Sequence, residues 1–90
     1  MEFNRDVIKA RLLYHLRRKK VIWGVHTHFD TLTRGFPSHL GKDVKKVAQE
    51  LIKEGLIVTK SASYGLQVSL NKTRIKEIED FISRILGFNF

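Results

Sequence analysis

Cysteine is absent from this sequence, and proline occurs once, as Pro37. Without cysteine the chain has no disulfide, no thiolate ligand for zinc and no cysteine nucleophile. No apolar run approaches the roughly 20 residues that span a bilayer. The first six residues are polar and carry two acids, which is unlike a signal peptide. We therefore expect a cytoplasmic protein that does not engage a membrane.

Constellations that catalyse a reaction or hold a cofactor are also missing from the sequence. The four histidines lack the spacing of a zinc site; they are His15, His26, His28 and His39. There is no glycine-rich phosphate loop and no nucleophile motif. We expect no enzymatic activity, no metal and no cofactor, with the histidines in turns and on the surface.

Positive charge is what the sequence has in excess. It contains 17 Lys and Arg against 9 Asp and Glu, for a net charge of +8. Residues 1–20 alone hold seven basic against two acidic residues. Such a balance favours a polyanion as partner, whether DNA, RNA or an anionic membrane. The alternative is a lysine-rich surface that serves solubility only.

Apolar periodicity, caps and turn residues predict one domain with a simple order of elements. Thr27 and Ser38 are expected to cap the two middle helices, and Asn71 the last one. The predicted elements are a helix from Asn4 to about Lys19, a strand at 21–23, helices His28–Arg34 and His39–Glu54, strands Leu56–Thr59 and Leu66–Leu70, and a helix Lys72–Leu86.

Two consecutive helices joined by a tight turn and followed by a β-hairpin are the elements of a winged helix-turn-helix. The residues with this order and spacing are Thr27–Phe36, Pro37-Ser38, Val44-x-x-Val47-Ala48-x-x-Leu51-Ile52-x-x-Gly55-Leu56-Ile57 and Tyr64–Leu70. From about residue 6 to 71 the chain resembles the winged helix-turn-helix superfamily, most of all the small stand-alone winged-helix proteins of archaea. The resemblance implies a single α+β domain over residues 1–90. It would have a three-helix core, a β-hairpin wing and an extra C-terminal helix at about 72–86.

The predicted helix 39–54 carries the candidate DNA-reading surface. Opposite its apolar face lie Lys42, Lys46, Gln49 and Lys53, flanked by His39 and Lys45, with Ser38 at its start. A helix presented in this way fits the major groove, where lysines contact phosphates or guanine and glutamine can pair with adenine. No arginine lies on this face, which indicates limited base readout. The alternative is an ordinary solvated helix face.

Two further basic segments are weaker candidates for nucleic-acid contact. The resemblance to winged helices implies that Lys60 and Tyr64, at the hairpin tip, touch the backbone or the minor groove. Tyr64 could instead pack beside Gly65. Arg17 and Arg18 belong to a run of four basic residues that either contacts phosphate or closes the first helix, where cations are favourable.

The last helix carries an apolar pattern that favours a homodimer. Its isoleucines follow the 3-4-3 spacing of a coiled-coil seam, and aromatic residues broaden the face. The predicted interface comprises Ile75, Ile78, Phe81, Ile82, Ile85 and Phe88. The alternative is that this helix packs on the first helix of its own chain.

Together these patterns predict a protein that binds double-stranded DNA, either a transcriptional regulator or a chromatin-associated protein. It would place helix 39–54 in the major groove. RNA binding by the same domain and a purely protein-docking module are the alternatives. The sequence specifies neither the target site nor an effector ligand.

Overall fold

The computed structural model describes residues 3–88 and 90. This part of the chain forms an α+β domain with three α-helices, a three-stranded sheet and three 3₁₀ segments. The helices are α1 (Arg5–Arg18), α2 (Gly41–Lys53) and α3 (Ile75–Leu86), the strands are β1 (Thr27–His28), β2 (Ile57–Ala62) and β3 (Gly65–Leu70), and the 3₁₀ segments are Phe29–Thr33, Ser38–Leu40 and Lys72–Arg74. No helix within the described residues is long and apolar enough to cross a membrane.

Helix α1 packs against both other helices. The side chain of Asn4 caps it by accepting a hydrogen bond from the backbone N–H of Val7 at 2.9 Å. Its buried residues are Ile8, Ala10, Leu12, Leu13 and Leu16. Helix α1 therefore lies between two packing partners, α2 and α3.

The sheet is antiparallel, with β3 between β1 and β2. Val68 lies opposite Thr27 in β1, and Leu70 lies opposite Ile57 in β2. Val68, Leu70 and Ile57 are buried and join one core cluster with residues of all three helices, such as Leu51. Burying each large apolar side chain of this kind contributes about 1.5–3 kcal/mol to folding.

The prediction of an α-helix at residues 28–34 is wrong, because the chain forms a five-residue 3₁₀ segment there. Thr27 and His28 are held in β1 by pairing with β3, and Arg34 is already extended, which leaves too few residues for an α-helix. Thr27 does not cap this segment. Its hydroxyl lies 3.0 Å from that of Thr31, which donates to the His28 carbonyl at 2.7 Å.

The predicted strand at 21–23 is reduced to a single bridge between Ile22 and Leu70. Lys20 and Trp23 on either side of it have positive φ angles of 57° and 20°, which interrupts an extended strand. The edge strand β1 forms later, at Thr27–His28. Trp23 itself is exposed.

Helix α2 begins two residues later than predicted. Ser38–Leu40 form a 3₁₀ turn in which the Leu40 N–H bonds the Pro37 carbonyl at 2.9 Å, and no side chain caps α2. Ser38 is therefore not the predicted cap. Gly41 is the first residue of α2, where a glycine costs less than it would in the helix interior.

Asn71 caps the 3₁₀ segment Lys72–Arg74, by accepting from the Thr73 N–H at 3.0 Å, and not the last α-helix as predicted. Helix α3 begins at Ile75, three residues later than predicted, and no side chain caps it. The hairpin loop is shorter than predicted. The strands extend to Ala62 and Gly65, which leaves Ser63 and Tyr64 alone at the tip.

Candidate nucleic-acid interface

Helix α2 buries one face and exposes the opposite one. Val44, Val47, Ala48 and Leu51 are buried against the core. The exposed polar side consists of Lys42, Lys45, Lys46, Gln49 and Lys53, which we call the α2 basic face. Ser38 and His39 in the preceding 3₁₀ turn are exposed as well. The seven residues predicted for this region are therefore all accessible to a ligand.

The acids of α2 lie toward α1 and are mostly paired there. Glu50 forms an ion pair with Arg5, and Glu54 pairs with Lys9 at 2.9 Å. Asp43 lines a cleft beside Arg5 at the start of α1. Because cations of α1 offset these carboxylates, the α2 basic face keeps its own positive charge.

Ion pairing on the α2 basic face is confined to one residue. Within the described residues, no carboxylate forms an ion pair with Lys42, Lys46 or Lys53. Lys45 lies 3.5 Å from Asp30, and both side chains are largely exposed. An exposed pair of this kind contributes only about 0–1 kcal/mol, so Lys45 can exchange its partner for another anion.

The hairpin tip beside α2 is held by contacts to β1. Tyr64 is exposed, and its hydroxyl accepts a hydrogen bond from the Gln67 amide at 3.1 Å. Nε2 of His28 donates to the Tyr64 carbonyl at 2.9 Å, and the two rings stack with centroids 6.3 Å apart. Lys60 is exposed on β2. Tyr64 therefore packs on His28.

A chain of contacts links this tip to α2. His28 Nδ1 lies 3.8 Å from Asp30, and Asp30 lies 3.5 Å from Lys45. The sequence marked neither His28 nor Asp30 as functional, because their contacts depend on pairing between β1 and β3. That pairing places His28 next to Tyr64, which is 36 positions further along the chain, and no local pattern reveals such a contact.

The two arginines at the end of α1 have different surroundings: Arg17 is paired with a carboxylate and Arg18 is exposed. Arg17 pairs with Glu79 of α3 at 2.8 Å, and its guanidinium lies 5.5 Å from the Phe90 ring. Arg18 is exposed and lines a cleft with Lys19 and Arg34. Of the two predicted phosphate contacts, Arg18 is therefore the one whose charge remains open to solvent.

The histidines do not assemble into a metal centre in the described part of the chain, where no three His, Asp or Glu side chains meet as ligands. His15 packs on Phe36 with ring centroids 5.7 Å apart. Burial lowers the pKa of His15 below its ordinary value, and the nearby cations Lys19, Arg11 and Arg18 lower it further.

The predicted dimer residues divide into two groups. Ile78 and Ile82 are fully buried in the core of their own chain, in the helix that packs on α1. Ile75, Phe81 and Ile85 are partly buried, and Phe88 is exposed but stacks on Tyr14 at 4.5 Å. Only this second group is available to a second copy.

The described residues thus form a basic helix face linked through Asp30 and His28 to the hairpin tip, and a separate basic cleft at the end of α1. What these surfaces bind is inferred from the chain's own residues. Comparisons with protein-family models, with curated proteins and with solved structures found no match.

Proposed function

We propose that this protein is a winged helix-turn-helix protein that binds double-stranded DNA, as a transcriptional regulator or a chromatin-associated protein. The order of elements supports the proposal: α1, the edge strand β1, a 3₁₀ segment, α2, the β2–β3 hairpin and α3. In such domains the helix before the hairpin is the one that enters the groove. That helix is α2.

The observation that carries the proposal is the segregation of charge on α2. Its lysines face solvent on the α2 basic face, whereas Glu50 and Glu54 are paired with cations of α1. A helix face that served only solubility would work equally well with acidic residues among its lysines. A surface built for phosphates gains because each lysine that neutralises a phosphate releases a counterion.

The binding mode follows from the side chains available. Lys42, Lys46 and Lys53 act on phosphates or on guanine in a major groove about 12 Å wide, and Gln49 can pair with adenine. Tyr64 approaches the backbone from the hairpin tip, and Lys60, which the sequence placed at the tip, approaches it from β2. With no arginine on α2 there is no bidentate reading of guanine, so affinity is dominated by the backbone and sequence preference is modest.

The proposal is tested by duplex binding measured by fluorescence anisotropy over a range of salt concentrations. Lys46→Glu should weaken binding by about tenfold or more, because it replaces a phosphate contact by a repulsion. Lys76→Glu is the matched control, since Lys76 is also exposed but lies on α3. Wild-type affinity should fall steeply as salt rises.

Competition between duplex DNA, duplex RNA and single strands separates the possible nucleic acids. Preferential binding of duplex DNA supports the proposal. Preference for RNA would assign the same face to RNA. Duplex binding that is absent or insensitive to salt would contradict the proposal, as would an equal loss of affinity in the Lys76→Glu control.

A further inference from the structure

A second basic surface lies between the end of α1 and the loop that leads into α2. A cavity of about 430 Å³ opens there, lined by His15, Arg18, Lys19, Arg34 and Gly35. None of the carboxylates in residues 3–88 lines it. No local sequence pattern groups these residues, because Arg34 is isolated in the chain and far from the basic run at the end of α1.

Gly35 allows the loop to approach α1 closely enough to form this cavity. Its φ is +87°, and a Cβ atom at this position would lie 2.8 Å from Cε1 of the His15 ring. A residue with a side chain would therefore push the loop away from α1. Arg34, which precedes this glycine, lines the same cavity as Lys19.

The cavity holds positive charge that nothing in the described chain neutralises. Arg18, Lys19 and Arg34 are exposed, and no carboxylate of the described residues forms an ion pair with any of them. Arg17 differs, because Glu79 pairs with it. The local field also reaches His15, whose pKa is lowered by burial and then by Lys19, Arg11 and Arg18. Such a site favours an anion.

The position of the cavity suggests which anion. Gly35 precedes Ser38 by three residues, so their Cα atoms lie at most about 11 Å apart. The cavity therefore adjoins the 3₁₀ turn Ser38–Leu40, which leads into the helix proposed to enter the groove. A duplex strand carries one phosphate for about every 3.4 Å of its axis. When α2 is bound in the groove, further phosphates of the duplex therefore lie within about 11 Å of Ser38.

We propose that this cavity binds a backbone phosphate of the same DNA duplex that α2 contacts. This inference rests on the proposed function and extends its footprint to the α1 end of the domain. Arg34 supplies a planar fork that can hold two phosphate oxygens, whereas Lys19 and Arg18 act as additional positive charges. The cavity adds affinity and orientation but no sequence readout.

The test compares two double variants with the same loss of charge, Lys19→Gln/Arg34→Gln in the cavity and Lys72→Gln/Lys76→Gln on exposed positions near and within α3. Duplex affinity is measured as a function of salt for both variants and the wild type. The cavity variant should lose about tenfold in affinity, and its salt slope should fall by roughly one, because one phosphate contact is lost. Arg34→Lys keeps the charge but not the planar fork, so its affinity should lie between those of the wild type and the cavity variant.

The outcomes separate this inference from the proposed function. If the wild type binds duplex DNA but both double variants behave alike, the cavity makes no phosphate contact and the inference is overturned alone. If the wild type does not bind duplex DNA at all, both the inference and the proposed function fail.

A second arm of the test titrates inorganic pyrophosphate into the protein at constant ionic strength and follows the side-chain signals by NMR. Pyrophosphate could saturate the shifts of the Lys19 and Arg34 signals at a concentration well below the duplex concentration that saturates them. That result would identify a free anion as the ligand and overturn the assignment to the DNA backbone.

Discussion

At the scale of single residues, the contact between His28 and Gly65 shows how the hairpin tip is fixed. Gly65 has a φ of +128°, and a Cβ atom there would lie 2.7 Å from Nε2 of His28. The same nitrogen donates to the carbonyl of Tyr64. The sequence identified Gly65 as a turn residue, but not the ring that it accommodates.

Gly65→Ala should lower the free energy of unfolding by about 2–3 kcal/mol, because it combines an unfavourable φ with a clash against the His28 ring. Gly24→Ala is a matched control: its φ is +83°, but nothing lies within 4 Å of the added atom. The control should lose only about 1 kcal/mol. Urea denaturation measures both.

Removing the ring separates the two contributions to the Gly65→Ala loss. In a His28→Ala background the clash is gone, so Gly65→Ala should then cost no more than Gly24→Ala. If Gly65→Ala costs the same with and without the His28 ring, the contact does not constrain the tip.

At the scale of elements, local sequence patterns predicted the helices better than the loops. The apolar periodicity of α1, α2 and α3 located all three, because α2 and α3 each bury one continuous face and α1 packs against both of them. The segment Phe29–Thr33 was mistaken for an α-helix, and β1 was placed too early. Both depend on pairing with β3, which lies about 40 residues further along the chain. The lysines of α2 were predictable because their spacing is local; Asp30 was not.

Asp30 lies beside α2 and reduces the positive charge of the α2 basic face through Lys45. Asp30→Asn should therefore raise affinity for duplex DNA, by roughly two- to threefold at low salt, because it frees Lys45 and removes a charge that repels phosphate. Asp80→Asn, an exposed acid on α3, is the control. The same anisotropy titration serves both variants, and weaker binding by Asp30→Asn would show that the Asp30–Lys45 pair positions α2 instead.

At the scale of the whole molecule, the division of α3 into buried and accessible residues bears on assembly. Ile78 and Ile82 complete the core of one chain, which leaves Ile75, Phe81, Ile85 and Phe88 as the apolar surface for a second copy. The sequence pattern alone could not separate these groups, because a helix that packs on α1 and one that pairs with its copy have the same periodicity.

We expect a homodimer formed through these four residues. Phe88→Glu should shift the chain to a monomer in sedimentation velocity, because it introduces a charge into an apolar contact. Lys76→Glu on the polar side of α3 should leave the mass unchanged, and circular dichroism verifies that both variants are folded. A wild-type chain that sediments as a monomer at high concentration would contradict the expectation.

Under the proposed function, the pairing of Glu50 and Glu54 with α1 also has a kinetic consequence. Because cations of α1 neutralise these two acids, the positive potential of the α2 basic face is reduced less, and it helps to orient the domain as the domain diffuses toward DNA. A larger share of encounters then begins with α2 in front. The arrangement therefore acts on the rate of association before any contact is made, and that advantage disappears as added salt shortens the range of the field.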